Sequence, residues 1–174
     1  MTIHSSHPFA DPAPDPVRRF RGRLGGAVSL WTAGEGSARA GLTVTSLMVA
    51  GGEPGRVLAL LDPDADLTLA LEDTGRAVVS LLAWRHRQLA EAFAGTAPAP
   101  GGAFRTGEFV DTPAGPRLAD AGTWASATLE AVRDVGWSRL VTCTLDEVVV
   151  GGDDGDALVH RRGRWVAPET RDVP

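Results

Sequence analysis

At 174 residues and 18.2 kDa the chain is long enough to bury one core without disulfides or metal staples. A net charge of -5 argues against general nucleic-acid binding, which draws on surplus basic residues for counterion release. Cys143 is the single cysteine and all 17 basic residues are Arg, which excludes an intramolecular disulfide, a thiolate metal cluster and lysine-based Schiff-base chemistry. Phosphate contacts then fall to Arg or a protonated His.

Residues 1–16 carry four prolines and two aspartates with no apolar periodicity, which predicts a disordered tail. His4 and His7 lack a third ligand nearby in sequence and read as solvated. This segment also lacks the basic start and apolar core of a signal peptide, and no stretch approaches the ~20 apolar residues of a membrane span. With a lone cysteine that suits a reducing compartment as a buried thiol, a cytoplasmic protein free of membrane is expected.

Val17, Phe20 and Leu24 fall at helical spacing among four arginines, predicting a short amphipathic helix. Ala27–Thr32 has strand composition, and the turn 34–37 returns the chain through Arg39 to Leu47 as a hairpin. Arg56–Leu61 is a nearly continuous apolar run of strand length and reads as a central strand. Leu67–Asp73 is expected as a helix capped by Asp66 and ended by Gly75, followed by a buried strand over Ala77–Leu82. Arg87–Phe93 forms a further helix, and Thr96–Gly102, with two prolines and two glycines, forms a loop. Trp124–Val132 and Leu140–Val150 are long alternating strands joined closely enough for antiparallel pairing, and Ala157–His160 with Arg164–Val166 closes the chain in a hairpin turning at Gly163. About seven antiparallel strands with short inserted helices predict a mainly β fold, a Greek-key split β-barrel with short flanking helices.

Within this frame Gly41-Leu42-Thr43-Val44-Thr45-Ser46 sets hydroxyls at the end of an apolar strand, where short side chains and backbone N–H groups can hold an anion. A half-buried strand with a polar face is the competing reading of the same residues.

Taken in order, these segments resemble the flavin reductase-like family of FMN-binding split barrels, from about Val17 to Trp165. The likeness rests on Arg21–Thr32 as opening helix and strand, Gly41–Leu47 as flavin segment, Gln88–Gly95 as second helix, and the closing hairpin Asp156–Trp165. It implies a tail over 1–16, a split-barrel domain over 17–168 and a flexible end over 169–174. It also implies FMN as cofactor, with Thr43, Val44, Thr45 and Ser46 lining the flavin and Arg39, Asp62 and Arg76 at the phosphate positions. Asp62 opens an acidic run to Asp66 that would repel phosphate unless its side chains turn away. On the nicotinamide side it implies Ser138, His160 and Trp165; many NAD(P)H-using members place Gly-Asp-His where this chain has Gly136-Trp137-Ser138. The implied activity is hydride transfer from NADH or NADPH to flavin N5, with a partner monooxygenase and a homodimer. A non-catalytic flavin carrier or sensor, and a deazaflavin (F420) enzyme, are the alternatives. The catalytic residues stay open, and no metal is expected.

Overall fold

The computed structural model describes residues 15–152 and 157–166. Residues 1–14 of the expected tail, with His4 and His7, and the chain after 166 lie outside these residues, whereas Asp15 and Pro16, assigned to that tail, instead cap and open a helix. The elements in chain order are α1 (Pro16–Leu24), β1 (Gly26–Ala27), β2 (Ser29–Ala33), β3 (Ala40–Val44), β4 (Leu47–Ala50), β5 (Arg56–Leu61), α2 (Asp66–Thr74) and β6 (Arg76–Leu81). They continue as α3 (Arg87–Phe93), β7 (Phe109–Thr112), β8 (Gly115–Leu118), β9 (Trp124–Val135), β10 (Ser138–Val149), β11 (Val159–Arg161) and β12 (Arg164–Val166).

Seven strands form one antiparallel sheet in the order β3-β2-β6-β9-β10-β5-β4. Its two edge strands, β3 and β4, are consecutive in the chain and separated only by Thr45 and Ser46. Laid flat, seven strands would place those edges roughly 29 Å apart, at about 4.8 Å per spacing. The step from Val44 to Leu47 reaches only about 11 Å. The sheet must therefore curl until its edges approach, which makes it a barrel split along one seam. The mainly β split-barrel expectation holds.

Strand alternation sorts the apolar residues into two layers. Inside the barrel Trp31, Val57, Leu61, Val79, Val141 and Cys143 pack together, and Leu67 and Leu71 of α2 join them. Outside, Val28, Leu30, Leu82 and Leu158 pack with Leu89 and Phe93 of α3 and with Leu118 of β8. Covered on both sides, β2 is buried at all five residues. Its polar members are satisfied: the Ser29 hydroxyl donates to the Val44 carbonyl at 2.9 Å and accepts the Trp31 indole N–H at 3.1 Å.

Several expectations are refined. The α2 N-cap is Ala65, without a side-chain cap bond, while Asp66 is the first helical residue, where a carboxylate still favours the helix N-terminus. Gly75 ends α2 at φ 69°, its N–H donating to the Leu71 carbonyl at 2.8 Å. The strand β5 lies one place from the sheet edge rather than at its centre, which leaves Leu60 on the outer face 40% exposed. In α1 the Asp15 carboxylate accepts the Val17 N–H at 2.9 Å, and none of the nine helical residues is buried. The β7–β8 hairpin escapes the sequence pattern because Pro113, Gly115 and Pro116 interrupt it. Gly115 is what seats it: at φ 128°, a Cβ there would lie 3.0 Å from the Ala33 Cα.

Two outcomes follow. Ser29→Ala removes a buried hydrogen bond and strands the Trp31 N–H, a loss of about 1–3 kcal/mol, so thermal denaturation should show Tm lowered by roughly 2–12 °C. Cys143 is fully buried; burial first, then the charges of Asp146 and Glu130, push its thiol up to about 12. A thiol reagent at pH 8 should label it only as fast as the protein opens, and rapid labelling of the native protein would contradict this packing.

Candidate functional site

The seam is where the hydroxyl-rich run falls, and alternation divides its side chains. Val44 points into the barrel and is 3% exposed, so only its backbone faces outward chemistry. The Thr43 hydroxyl donates to the Ala90 carbonyl at 2.8 Å, fastening β3 to α3. Thr45 and Ser46 are exposed, because they follow the last rung of the β2–β3 ladder and precede the first of the β4–β5 ladder. Ser46 bridges the gap: its carbonyl accepts the Leu60 N–H at 3.0 Å and its hydroxyl donates to the Leu60 carbonyl at 2.7 Å. The Ser46 oxygen keeps its acceptor lone pairs for a further partner.

One wall of the seam comes from the closing hairpin. β1 pairs with β11 so that Gly26 faces His160, and a Cβ on Gly26 would lie 3.1 Å from the Thr45 carbonyl oxygen. The absence of a side chain at Gly26 thus lets this small sheet approach Thr45. His160 packs edge-on against Trp165, with ring centroids 5.1 Å apart, and Trp165 donates its indole N–H to Glu91 of α3 at 2.8 Å. Burial lowers the His160 pKa, which favours the neutral imidazole. The turn between β11 and β12 places Arg162 at φ 54° and Gly163 at φ 75°, the two positive φ values that a two-residue hairpin favours.

The other wall is the end of β5 and β10. Arg139 pairs with Leu61, so Ser138 and Asp62 lie one step further along the same two strands, on the side where Ser46 bonds Leu60. The Asp62 carboxylate is engaged locally, accepting the Asp64 N–H at 3.0 Å, while its carbonyl accepts the Thr68 hydroxyl at 2.7 Å. Beside Ser138 the β9–β10 turn carries Trp137 at its tip, 91% exposed.

The structure thus brings Thr45, Ser46, His160 and Trp165 together on one side and Asp62 and Ser138 on the other. It does not bring Arg39 or Arg76 to them. Arg39 precedes β3 and lies six residues from Thr45, about 20 Å along extended chain. Its guanidinium sits 4.5 Å above the Phe104 ring, beside an open cleft of about 310 Å³ lined by Gly41, Asp66 and Phe93. Arg76 is exposed at the start of β6, opposite Thr128, and β6 reaches the seam end only at Leu81, opposite Ser29.

A polar cluster that sequence reasoning missed lies at the entry to α3. The Ala83 N–H donates to His86 Nδ1 at 3.0 Å, so the ring proton is on Nε2 and faces the Asp120 carboxylate at 3.1 Å. Arg85 donates to the Asp120 carbonyl at 2.7 Å. Desolvation raises the Asp120 pKa, but the hydrogen bond from His86 and the positive charge of Arg85 outweigh it, and the net shift is downward. The cluster pins the β6–α3 connection to the β8–β9 connection; 34 residues separate its partners, so no local pattern announces it. Among the described residues no group of His, Cys, Asp or Glu could hold a metal, and no helix is long and apolar enough to cross a membrane.

Comparison with known proteins places this geometry. A search of curated proteins finds no match. Among solved structures, the Streptomyces globisporus C-1027 NADH:FAD oxidoreductase SgcE6, in complex with NAD and FAD fragments, superposes with a TM-score of 0.80 at 20% identity, over 94% of this chain and 100% of that one. BorF, the flavin reductase component of a bacterial two-component tryptophan halogenase, gives 0.75 at 22% identity, over 86% and 94%. A nitrilotriacetate monooxygenase component B homologue from Mycobacterium thermoresistibile gives 0.77 at 18% identity, over 91% and 88%. These likenesses establish the shared fold. The family model described as "Flavin reductase like domain" matches residues 21–167, so the chain belongs to the flavin reductase-like family and is a flavin oxidoreductase.

Proposed function

We propose that the seam between β3 and β4 binds the flavin as FMN, and that NADH or NADPH reduces it there by hydride transfer to N5. The observation that carries this reading is the exposed Thr45-Ser46 pair, outside both strand ladders and walled by the His160–Trp165 pair. The residues suit a flavin: hydroxyls and backbone groups of the seam for the polar ring edge, aromatic side chains for a ring face, and neutral His160 nearby. Asp62, the acidic residue at the phosphate positions, has its carboxylate turned to the Asp64 N–H.

The flavin supplies the redox chemistry when bound. The chain's task is to orient the ring, exclude water from it and offer hydrogen bonds where charge builds, so no side-chain acid or base is required. That SgcE6 is an NADH:FAD oxidoreductase supports a nicotinamide donor and keeps FAD as the alternative flavin. The names of BorF and of the nitrilotriacetate monooxygenase component support delivery of reduced flavin to a partner monooxygenase. Ser138, where many members have His, favours the second reading, a flavin carrier with slow nicotinamide turnover.

A second copy of the chain completes the unit in this proposal. By register Met48, Leu58, Leu60 and Leu140 share the outer face of β4, β5 and β10, with Met48 69% exposed. A strand as continuously apolar as β5 is expected to be covered on both faces, and one isologous contact would do so beside Ser46.

Anaerobic addition of NADH or NADPH to the flavin-loaded protein should bleach the flavin absorption within seconds to minutes; an unbleached spectrum with both donors would leave the carrier reading. Thr45→Ala with Ser46→Ala should weaken flavin binding about tenfold, each lost hydrogen bond being worth roughly 0.5–1.5 kcal/mol, and unchanged affinity would refute the seam as the site. Sedimentation should show a dimer that Leu60→Glu converts to monomer, whereas a monomeric parent would exclude the second copy.

A further inference from the structure

The closing hairpin is fastened to the barrel by its backbone. The Val28 N–H donates to the Leu158 carbonyl at 2.9 Å, the Leu158 N–H donates to the Leu82 carbonyl at 2.8 Å, and β1 pairs with β11. At the far turn the Arg162 N–H donates to the Gly22 carbonyl at 2.8 Å. A side-chain bond is added to these: Glu91 of α3 accepts the Trp165 indole N–H at 2.8 Å. Because the backbone bonds already attach the hairpin, what the Glu91 bond contributes is the orientation of the Trp165 ring.

That ring stands on the face of the small sheet that meets the seam. Directly paired residues of an antiparallel ladder point to the same side, and Gly26, His160 and Trp165 form one such row. Gly26 identifies the side, since a Cβ there would lie 3.1 Å from the Thr45 carbonyl oxygen. His160 therefore projects to the side of Thr45, and Trp165 packs edge-on against its imidazole with ring centroids 5.1 Å apart. The anchor is firm. The Glu91 carbonyl accepts the Thr96 N–H at 3.0 Å and the Thr96 hydroxyl at 3.2 Å, while the Ala90 carbonyl accepts the Thr43 hydroxyl at 2.8 Å. Two consecutive residues of α3 thus tie β3 and the aromatic pair to one element. The Trp165 indole is a donor only and is half-buried, so without Glu91 its N–H loses its acceptor and the ring its fixed setting.

We propose that Glu91 is a positioning residue for the flavin reaction: by accepting the Trp165 N–H it sets the Trp165 ring, and through it His160, as a wall for the flavin bound at the seam. The inference rests on the seam being the flavin site and adds a residue that acts through Trp165 rather than on the flavin itself. An aromatic wall serves a ring face only while its angle is fixed, so loss of Glu91 acts on flavin affinity and reduction rather than on folding. Gln at this position keeps an oxygen acceptor, whereas Leu keeps the helix and the bulk and offers none.

The test compares the parent with Glu91→Leu, Glu91→Gln, Trp165→Phe and the double variant Glu91→Leu/Trp165→Phe. With FMN or FAD, whichever the parent binds more tightly, Kd is read from flavin fluorescence, the reduction rate at saturating NADH or NADPH from anaerobic bleaching, and Tm from thermal denaturation. Glu91→Leu and Trp165→Phe should each raise Kd and slow reduction about fivefold, with Tm within about 4 °C of the parent. The double variant should be no weaker than either single change, because both break one bond, and Glu91→Gln should stay within about twofold of the parent. In a parent that neither donor bleaches, Kd alone decides. Parental Kd and rate in Glu91→Leu, whatever its Tm, overturn the proposal, as do additive losses in the double variant or an equal loss in Glu91→Gln. Should Glu91→Leu not fold, Trp165→Phe decides by the same criteria. Thr45→Ala with Ser46→Ala separates the two readings. If it weakens flavin binding while the Glu91 and Trp165 variants do not, the seam stands and the positioning role falls; if it leaves affinity parental, the seam reading fails and the positioning role with it.

Discussion

Everything in this protein is organised by a two-residue connection. Thr45 and Ser46 join the opposite edges of a seven-stranded sheet, and a link about 11 Å long cannot span a flat sheet roughly 29 Å wide. The sheet therefore curls, an inside forms for Trp31 and Cys143, and α2 supplies Leu67 and Leu71 to that interior. Closure is incomplete at the seam, since a link between edges cannot itself be a rung in either ladder. Thr45 and Ser46 are left exposed there, beyond the paired registers of both ladders. The step that makes the fold compact is also the step that leaves a binding surface.

Small residues decide how closely other elements approach that surface. Gly26 admits the β1–β11–β12 sheet against Thr45, and Gly41 admits Phe93 of α3 so closely that a Cβ would lie 2.6 Å from its ring. With Thr43 bonded to Ala90 and Trp165 bonded to Glu91, α3 becomes the frame that holds β3 and the closing hairpin in fixed relation. The His86–Asp120 contact anchors the start of the same helix. The proposed flavin site, assembled from one strand end and one hairpin, would otherwise be free to splay.

Much of the fold was legible locally. The paired strands β9 and β10, the apolar run of β5, α3 and its glycine stop, and the closing turn at Gly163 all announce themselves through periodicity or turn chemistry. The β7–β8 hairpin did not, because Pro113 lies in its turn and Pro116 in β8, and its place depends on Gly115 fitting against Ala33. Nor did the placement of β5 one strand from the edge, since an apolar run reports a demand for burial without naming the partner that meets it. The site was legible in part: the hydroxyl run and the closing hairpin could be read as flavin elements, but distance along the chain is a poor guide to distance in space for arginines. Arg39 is six residues from Thr45 yet precedes the far end of β3, whereas His160 is 115 positions away and pairs with Gly26, which lies against the Thr45 carbonyl.

By itself the sequence determined the class of fold, the type of most elements and the chemical character of the hydroxyl-rich segment, because these depend on residue periodicity and local backbone preference. Only the tertiary structure decided which hydroxyls remain accessible: alternation turns Val44 inward and α3 takes up Thr43, leaving Thr45 and Ser46. It likewise decided what walls the seam, because the β1–β11 pairing brings the closing hairpin to Thr45 by way of Gly26.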